Sequence, residues 1–204
     1  MTEIVHLGIY DLLADWETGH ATSQLNNDEF QREPGRYRVK TVGLTRDPIT
    51  TMGALRIVPD LALDELDPAE SAMLILPGSD NWVAGTLTPF GDKARDFVAA
   101  GVPVAAICGA TFGLAAAGLL DDREHTSNHP DFLAHSGYAG AAHYREADAV
   151  GGDVITASGT EPVAFAREIF RRLDFYSPEL LDAWFRLYSQ SDPAAFYQLA
   201  ASVQ

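Results

Sequence analysis

The amino-acid sequence predicts an α/β fold in which helices cover both faces of a mostly parallel sheet. Short apolar runs with the composition of strands alternate with stretches that have helical spacing. Glycine or proline marks several of the breaks between them. Strands that alternate with helices form parallel sheets, because each helix carries the chain back across one face of the sheet. The length of 204 residues suits one globular domain, with or without a short appendage.

The first half of the chain provides four predicted strands. Residues 4–10 form a short apolar run with Val and Ile, which is typical of a buried strand. Residues 36–44 alternate polar and apolar side chains, as a half-buried strand does. Residues 54–60 are a further candidate, and residues 72–78 form a strand that ends at a Pro-Gly pair.

The second half of the chain continues the alternation of helices and strands. Residues 92–101 have helical spacing and end at a glycine, and the strand predicted for residues 102–108 follows directly. Residues 111–120 are predicted to be helical. Residues 153–159 form the last predicted strand, and residues 161–173 form a helix with proline in its first turn.

Residues 177–204 are predicted to form two more helices, as an extension to a domain that covers residues 1–176. The segments SPE at 177 and SDP at 191 each combine a capping residue with a proline suited to a first turn. The extension contains five aromatic residues: Trp184, Phe185, Tyr188, Phe196 and Tyr197. These side chains either dock on the body of the same chain or form a dimer face or a lid.

The composition limits the partners and the environment of the protein. A formal net charge of −15 repels phosphate backbones, so no nucleic-acid partner is predicted, although a charge of this size also simply favours solubility. The segment MTEIVHLGIY lacks the features of a signal peptide, and no apolar stretch is long enough for a membrane span. The single cysteine excludes an intrachain disulfide. A cytoplasmic protein without a membrane partner is therefore predicted.

Cys108 is the main candidate for a catalytic residue. It stands at the carboxyl end of a predicted strand, where chemistry collects in open α/β sheets, and directly before a helix. The small residues Ala106 and Ala110 lie two positions to either side, as a sharp strand-to-helix turn requires. The helix N-terminus is expected to lower the pKa of the thiol. This stretch alone leaves a buried, unreactive cysteine open as the alternative.

Two further segments are expected to meet Cys108. Gly78 in LPGSDNW follows a strand end, and its N–H and that of Gly109 are predicted to form an oxyanion hole, although a plain strand-ending turn also fits. Glu17 follows the first strand. Its carboxylate either complements a helix dipole or serves the thiol as hydrogen-bond partner or general acid/base.

These segments, in this order, resemble the ThiJ/PfpI superfamily, the class I glutamine amidotransferase-like group that includes the Parkinson-associated protein deglycase. YDLLADWE resembles the first strand, loop and helix of that family, with Glu17 in the place of the acidic residue that contacts the cysteine. LILPGSDNW resembles its oxyanion-side loop, and VITASGTEPVAFAREIF its last strand and helix. VPVAAICGATFGLAAAGLLDDREHTSN resembles the nucleophile elbow and the segment that follows it. The match covers most of residues 4–173.

The resemblance implies a flavodoxin-like three-layer sandwich, here with an extra C-terminal helical segment, and usually a homodimer. Activities in the family include glyoxalase-type hydration of methylglyoxal, proposed deglycation, hydration of isocyanides, peptidase-like hydrolysis, and chaperone or redox-sensing roles. The fold does not choose among them. No metal site and no cofactor are predicted.

The sequence departs from the family beside the predicted elbow. Many relatives have histidine directly after the T-[ST] pair, whereas this chain has Asn128 there and His129 one residue later. A shift of one residue in a strand turns a side chain to the opposite face, so His129 reaches Cys108 only if the loop bends. The other histidines also fit plain surface or core roles. His129 is retained as a candidate catalytic residue, and Asn128 and Trp16 as candidate substrate-binding residues.

The sequence thus predicts a cysteine-dependent hydrolase, hydratase, or glyoxalase- or deglycase-like enzyme that acts on a small electrophilic molecule. Glutaminase activity is not expected, because the HPD segment at 129–131 follows Cys108 too closely to imitate the late His-x-Glu pair of glutaminases. One alternative is a non-enzymatic redox-sensing stress protein, in which Cys108 is oxidised to a sulfinate. Another is an interaction protein that keeps the fold without activity.

Overall fold

The fold is built around one central sheet with flanking helices. The computed structural model describes residues 2–27 and 31–201. Its strands are β1 (Glu3–Gly8), β2 (Tyr37–Gly43), β3 (Ile49–Thr50), β4 (Arg56–Ile57), β5 (Leu61–Ala62), β6 (Met73–Leu76), β7 (Val104–Ile107), β8 (Ala149–Val150) and β9 (Val154–Ala157). Its helices are α1 (Gly19–Leu25), α2 (Thr88–Ala99), α3 (Gly109–Ala116), α4 (Pro130–Ala134), α5 (Pro162–Arg172), α6 (Pro178–Gln190) and α7 (Pro193–Ala201). Within this described part, no helix combines the length and the apolar character needed to cross a membrane.

The topology of the sheet confirms the predicted fold class. Seven strands pair in the order β5-β2-β1-β6-β7-β9-β8, while β3 and β4 form a separate antiparallel hairpin. Every neighbouring pair in the large sheet is parallel except β8 with β9. The architecture is a flavodoxin-like α/β sandwich that continues into a C-terminal helical segment.

The centre of the sheet is its most apolar part. The segments MLIL of β6 and VAAI of β7 are completely buried at every residue. Continuous apolar strands are typical of parallel strands that are covered on both faces. Burying one large aliphatic side chain contributes roughly 1.5–3 kcal/mol relative to leaving it exposed. The loops that follow β6 and β7 therefore start from a well-packed support.

The strand predictions hold for the central strands and fail at residues 54–60. Only Arg56–Ile57 in that run is extended, and it pairs with β3 outside the large sheet. The cause is local, because Pro59 has no N–H for a sheet ladder and Val58 is 65% exposed. The edge strands β5 and β8 were not predicted, since two residues are too few to show an alternating pattern.

The direction of the strand order reverses between β1 and β6. β2 lies on one side of β1, whereas β6, β7 and β9 follow one another on the other side. Open α/β sheets bind ligands outside the carboxyl ends of the strands at such a reversal. The loops after β1, β6, β7 and β9 leave the sheet at this edge, and they contain Glu17, Gly78, Cys108 and Gly159 respectively.

The C-terminal extension docks on the rest of the chain through α6. Trp184 is 1% exposed, and its ring centroid lies 4.9 Å from that of Phe170 on α5. Phe196 and Tyr197 on α7 are 56% and 72% exposed. Of the two predicted arrangements, docking on the same chain thus holds for Trp184, while the aromatic residues of α7 are left uncovered.

The two predicted helix starts in the extension are both present. The hydroxyl of Ser177 accepts the N–H of Leu180 at the start of α6. At the second start the capping group is Asp192, whose carboxylate accepts the N–H of Ala194. Ser191 instead ends α6 in a left-handed conformation with φ of 54°.

We expect Trp184→Ala to lower the free energy of unfolding by about 3–5 kcal/mol, because it leaves a cavity against Phe170. Urea denaturation followed by circular dichroism measures this change. Tyr197→Ala is the control, and we expect its effect to stay within about 0.5 kcal/mol because the ring is already exposed. Equal effects of the two substitutions would show that α6 is not part of the cooperative core.

Candidate active site

Cys108 occupies a strained turn between β7 and α3. Its φ of 56° and ψ of −123° are values that a residue with a side chain rarely adopts. Such a conformation costs about 1–3 kcal/mol, and the surrounding structure has to impose it. The Cys108 N–H donates to the carbonyl of Ala157 at 3.0 Å, and both Ala106 and Ala110 are completely buried. The turn therefore has the geometry of the predicted nucleophile elbow.

Glu17 reaches the thiol from the loop after β1. The residue is completely buried, and its Oε2 accepts the N–H of Gly78 at 2.5 Å. Its Oε1 has no hydrogen-bond partner among the described residues. A Cβ atom built on Gly159 would lie 2.8 Å from Cys108 Sγ and 3.1 Å from this Oε1. Thiol and carboxyl group thus border the same small space.

Burial raises the pKa values of both groups, and the Glu17 carboxylate raises that of the thiol further. Desolvation raises the pKa of Glu17 to about 7, although the Gly78 N–H and the thiol act in the opposite direction. Desolvation and the Glu17 carboxylate raise the pKa of the Cys108 thiol to about 11. A thiol pKa below the ordinary value was expected from the helix N-terminus, and the pKa is instead above that value. The N–H of Gly109 and the side chain of Asn128 do favour the thiolate, but burial outweighs them.

Asn128, which stands where many relatives have histidine, contacts the thiol through its side-chain amide. Its Nδ2 donates to Cys108 Sγ at 3.3 Å. Its Oδ1 accepts the N–H of Gly159 at 2.8 Å and the hydroxyl of Ser158 at 3.3 Å. These two donors fix the orientation of the amide, so that its NH2 group points at sulfur.

The position of His129 gives no support to its predicted catalytic role. Its Nδ1 accepts the N–H of Asp131 at 3.2 Å and caps α4, and its side chain is 65% exposed. The backbone of His129 is extended, with φ of −165° and ψ of 148°, so the loop does not bend as the prediction required. His125 is buried, and its ring bonds the Arg123 carbonyl and the Tyr138 hydroxyl.

The two glycines predicted to form an oxyanion hole differ in their availability. The N–H of Gly78 is already used by Glu17, because a completely buried carboxyl group needs a donor. The predicted oxyanion role of Gly78 therefore stays a prediction, and it would require this N–H to leave Glu17 or to be shared with it. The N–H of Gly109 opens α3 and favours negative charge on the Cys108 sulfur. It remains the better candidate for contact with a developing oxyanion.

The Pro77–Gly78 turn is held in place by an aromatic pair. The rings of Tyr10 and Trp82 meet edge to face, with centroids 5.7 Å apart. The hydroxyl of Tyr10 and Nε1 of Trp82 both donate to the carbonyl of Pro77. A Cβ on Gly113 of α3 would lie 2.1 Å from Trp82, so this helix residue has to be glycine for the ring to fit. The pair thereby links the Gly78 turn to the helix that follows Cys108.

A cleft of about 140 Å³ opens over the thiol. Its walls come from the loops after β1 and β6, the β3–β4 hairpin, the elbow and α4. The lining residues are Ala14, Trp16, Glu17, Met52, Gly78, Ser79, Asp80, Val83, Cys108, Gly109, Asn128 and Phe132. Of the predicted site residues, all except His129 line this cleft. A larger cavity of about 460 Å³ lies between α5 and α6, but its arginines already pair with carboxylates.

The sequence predictions did not include several residues that lie around the thiol or line the cleft. Gly159 carried a usable signal, because it follows a buried strand at the same edge as Gly78 and Cys108. Met52 and Phe132 carried none, since they lie on a short hairpin and a short helix that were not predicted. Within residues 2–27 and 31–201, no cluster of three or more His, Cys, Asp or Glu side chains is arranged to hold a metal ion.

Comparisons with known proteins agree with this geometry. The model of the DJ-1/PfpI family matches residues 4–172. The uncharacterized protease YoaZ of Bacillus subtilis is 36% identical over 206 residues, covering 99% of this chain and 98% of its own length. Protein/nucleic acid deglycase 2 of Escherichia coli is 34% identical over 125 residues, covering 59% of this chain and 72% of its own.

Solved structures extend the similarity to the whole chain. The thiJ/pfpI family protein from Bacillus anthracis superimposes with a TM-score of 0.93 at 36% identity, covering 99% of this chain and 97% of its own. A DJ-1 superfamily protein from Agrobacterium tumefaciens gives a TM-score of 0.84 at 31% identity, covering 94% of this chain and 99% of its own. The similarity to both therefore includes parts of the chain beyond residue 172.

We expect Glu17 to make the stability of the protein fall as the pH rises from about 4.5 to about 7. The pKa of Glu17 is raised from 4.5 to about 7, so in this window the folded state keeps a proton that the unfolded state has released. This shift corresponds to roughly 3 kcal/mol. Glu17→Gln removes the effect, so the variant should gain about 3 kcal/mol relative to the wild type between these pH values.

Urea denaturation of both proteins across this pH range measures the difference. Glu70→Gln, at an exposed position, is the control and should track the wild type. A constant difference between wild type and Glu17→Gln would contradict the raised pKa of Glu17.

We expect Gly159→Ala to slow the alkylation of Cys108 and to lower the free energy of unfolding by about 1–3 kcal/mol. The new methyl group would lie 2.8 Å from Sγ, so the thiol has to move. Gly19→Ala is the matched control, because a Cβ there meets nothing within 4 Å. Similar alkylation rates in both variants would show that the packing around Sγ is looser than described.

Proposed function

The chain belongs to the DJ-1/PfpI family, and we propose that it is a cysteine-dependent enzyme acting on a small electrophilic carbonyl or carbonyl-like carbon. The observation that carries the proposal is the pairing of Cys108 with a buried carboxyl group of raised pKa. A carboxyl group with a pKa near the working pH can both accept and return a proton. Nothing in a purely structural turn requires such a group to be buried against a thiol.

The first step is addition of the thiol to the substrate. Above pH 7 the Glu17 carboxylate is ionised while the thiol keeps its proton, because the pKa of the thiol is about 11. Glu17 accepts that proton as sulfur attacks the carbon, and the π electrons of the C=O bond move onto oxygen. Glu17 then returns the proton to this oxygen. The net result is a hemithioacetal, with no proton gained or lost.

The next step depends on the substrate. With an α-ketoaldehyde such as methylglyoxal, Glu17 moves the proton on the hemithioacetal carbon to the neighbouring carbonyl carbon by way of an enediol. This internal redox change needs no external oxidant and gives the thioester of a 2-hydroxy acid, which water hydrolyses to the acid and the free thiol.

With an ester or amide, the oxygen keeps its negative charge, the tetrahedral intermediate expels the leaving group, and Glu17 protonates that group. Water then attacks the resulting thioester, which restores the thiol and releases the acid. Asn128 and the N–H of Gly109 are the donors beside sulfur that can stabilise the charged intermediates. The names of the two relatives, an uncharacterized protease and a deglycase, agree with hydrolytic chemistry of this kind.

The raised pKa of the Cys108 thiol argues against the alternative, a redox sensor. Peroxide reacts with thiolates, and the environment of Cys108 raises the pKa of its thiol. A sensor function would be favoured if mild peroxide added two oxygen atoms to Cys108 selectively and no small electrophile were turned over. The protein is further proposed to be cytoplasmic and to act as a homodimer. Analytical ultracentrifugation tests the homodimer.

We expect kcat/KM for methylglyoxal to rise with pH to a plateau above about 7, as Glu17 becomes ionised. Cys108→Ser should abolish turnover, and Glu17→Gln should lower it by about 10²–10⁴-fold and flatten the pH profile. Glu70→Gln, at an exposed position, should keep the profile of the wild type. Turnover that survives in Cys108→Ser would exclude the proposed nucleophile.

A further inference from the structure

We propose that the cleft over Cys108 selects uncharged electrophiles that carry an apolar substituent, which packs against Trp16, Met52 and Val83. The inference rests on the proposed function, since it takes this cleft as the place where the substrate meets the thiol. It adds the class of substrate, which the reaction chemistry alone leaves open.

The mouth of the cleft is formed by large apolar side chains that water reaches. Trp16, Met52 and Val83 are 52%, 48% and 56% exposed, and the half-buried Phe132 adjoins them. They come from four separate segments of the chain, so no single loop explains why they are apolar. Neighbouring exposed apolar residues are typical of surfaces that bind a ligand. These residues line the same cleft as Cys108, so a substrate that reaches the thiol also contacts them.

The same lining, within the described ranges, offers no cationic side chain to pair with an anionic group of a substrate. Among the described residues that line the cleft, none is Lys, Arg or His, whereas Glu17 and Asp80 both carry carboxyl groups. The chain as a whole has a net charge of −15. A substrate carboxylate or phosphate would lose its hydration without gaining a cation, and it would face like charge. The cleft thus excludes anionic substrates while it accepts apolar ones.

The apolar wall is held in a fixed position. Trp16 Nε1 donates to the carbonyl of Gly159 at 3.0 Å, which orients the indole at the mouth. The backbone N–H of Met52 donates to the carbonyl of Leu13 at 2.9 Å and ties the hairpin to the loop after β1. The volume of about 140 Å³ is close to that of cavities that accept benzene. A substituent as large as a phenyl group therefore fits.

Alkylation of Cys108 tests the selectivity without requiring turnover. Iodoacetamide, iodoacetate and N-benzyl-iodoacetamide all form an S–C bond and release iodide, but they differ in charge and apolar area. Cys108 is the only cysteine of the chain, so intact-mass measurement reports its reaction. After division by the rates with glutathione, iodoacetamide should react at least about tenfold faster than iodoacetate. The benzyl reagent should exceed iodoacetamide by about tenfold.

A pair of matched variants separates the wall from the general surface. Val83→Asp should remove most of the advantage of the benzyl reagent, because it places a charge in the apolar wall. Val58→Asp is the control, since Val58 is 65% exposed and lies outside the cleft. Equal normalised rates for iodoacetate and iodoacetamide would overturn the proposal. So would an equal loss of the benzyl advantage in both variants.

Turnover of phenylglyoxal and of its anionic analogue 4-carboxyphenylglyoxal then separates this inference from the proposed function. A higher kcat/KM for phenylglyoxal, lost in Val83→Asp but kept in Val58→Asp, supports both. If the alkylation rates follow the predicted order but no small electrophile is turned over, the proposed function is contradicted. The selectivity of the cleft is then still supported. A preference for 4-carboxyphenylglyoxal would overturn the inference and leave the proposed chemistry intact.

Discussion

The candidate site depends on the burial of one carboxyl group against one thiol at the carboxyl edge of the sheet. This arrangement requires glycine at two positions, Gly78 and Gly159, where the backbone comes too close to Cys108 and Glu17 to carry a Cβ atom. A Cβ on Gly78 would lie 2.8 Å from Cys108 Cβ and 2.9 Å from both oxygens of Glu17. A Cβ on Gly159 would lie 2.8 Å from Cys108 Sγ. The two glycines therefore let four loops converge, and the Gly78 N–H compensates the desolvated carboxyl group. The strained turn at Cys108 persists because its neighbours leave it no room to relax.

Much of the fold could be predicted because its strongest signals are local. The continuous apolar strands and the proline and glycine punctuation determine the central strands and most helices, and the order of these elements determines a parallel sheet. The site could be predicted in part for the same reason, since Glu17, Gly78 and Cys108 all follow strands at one edge. Residues such as Met52 and Phe132 escaped prediction, because their place in the cleft depends on how short irregular segments fold back over the sheet.

The electrostatics could not be predicted from the sequence, because two opposing effects act on the same sulfur. The helix N-terminus and Asn128 favour the thiolate, whereas burial and the adjacent carboxylate oppose it. Which effect dominates depends on the depth of the turn and on Glu17, which is completely buried. The result is a thiol that stays protonated until a base acts on it. Oxidants and alkylating agents react with the thiolate, so a thiol of raised pKa reacts slowly with them until a base removes its proton.

The β3–β4 hairpin contributes to the cleft from outside the large sheet. The hairpin contributes main-chain groups to four hydrogen bonds with the loop after β1. Its Thr50 carbonyl accepts the N–H of Leu12, and its Met52 N–H donates to the carbonyl of Leu13. The N–H groups of Thr50 and Gly53 donate to the carboxylates of Asp11 and Asp15. Main-chain bonds do not depend on side-chain identity. The tip of the hairpin can therefore change in sequence while the elbow and its carboxyl partner keep their geometry. For protein engineering, this makes the tip a suitable place to diversify substrate preference by directed evolution, with little burden on folding.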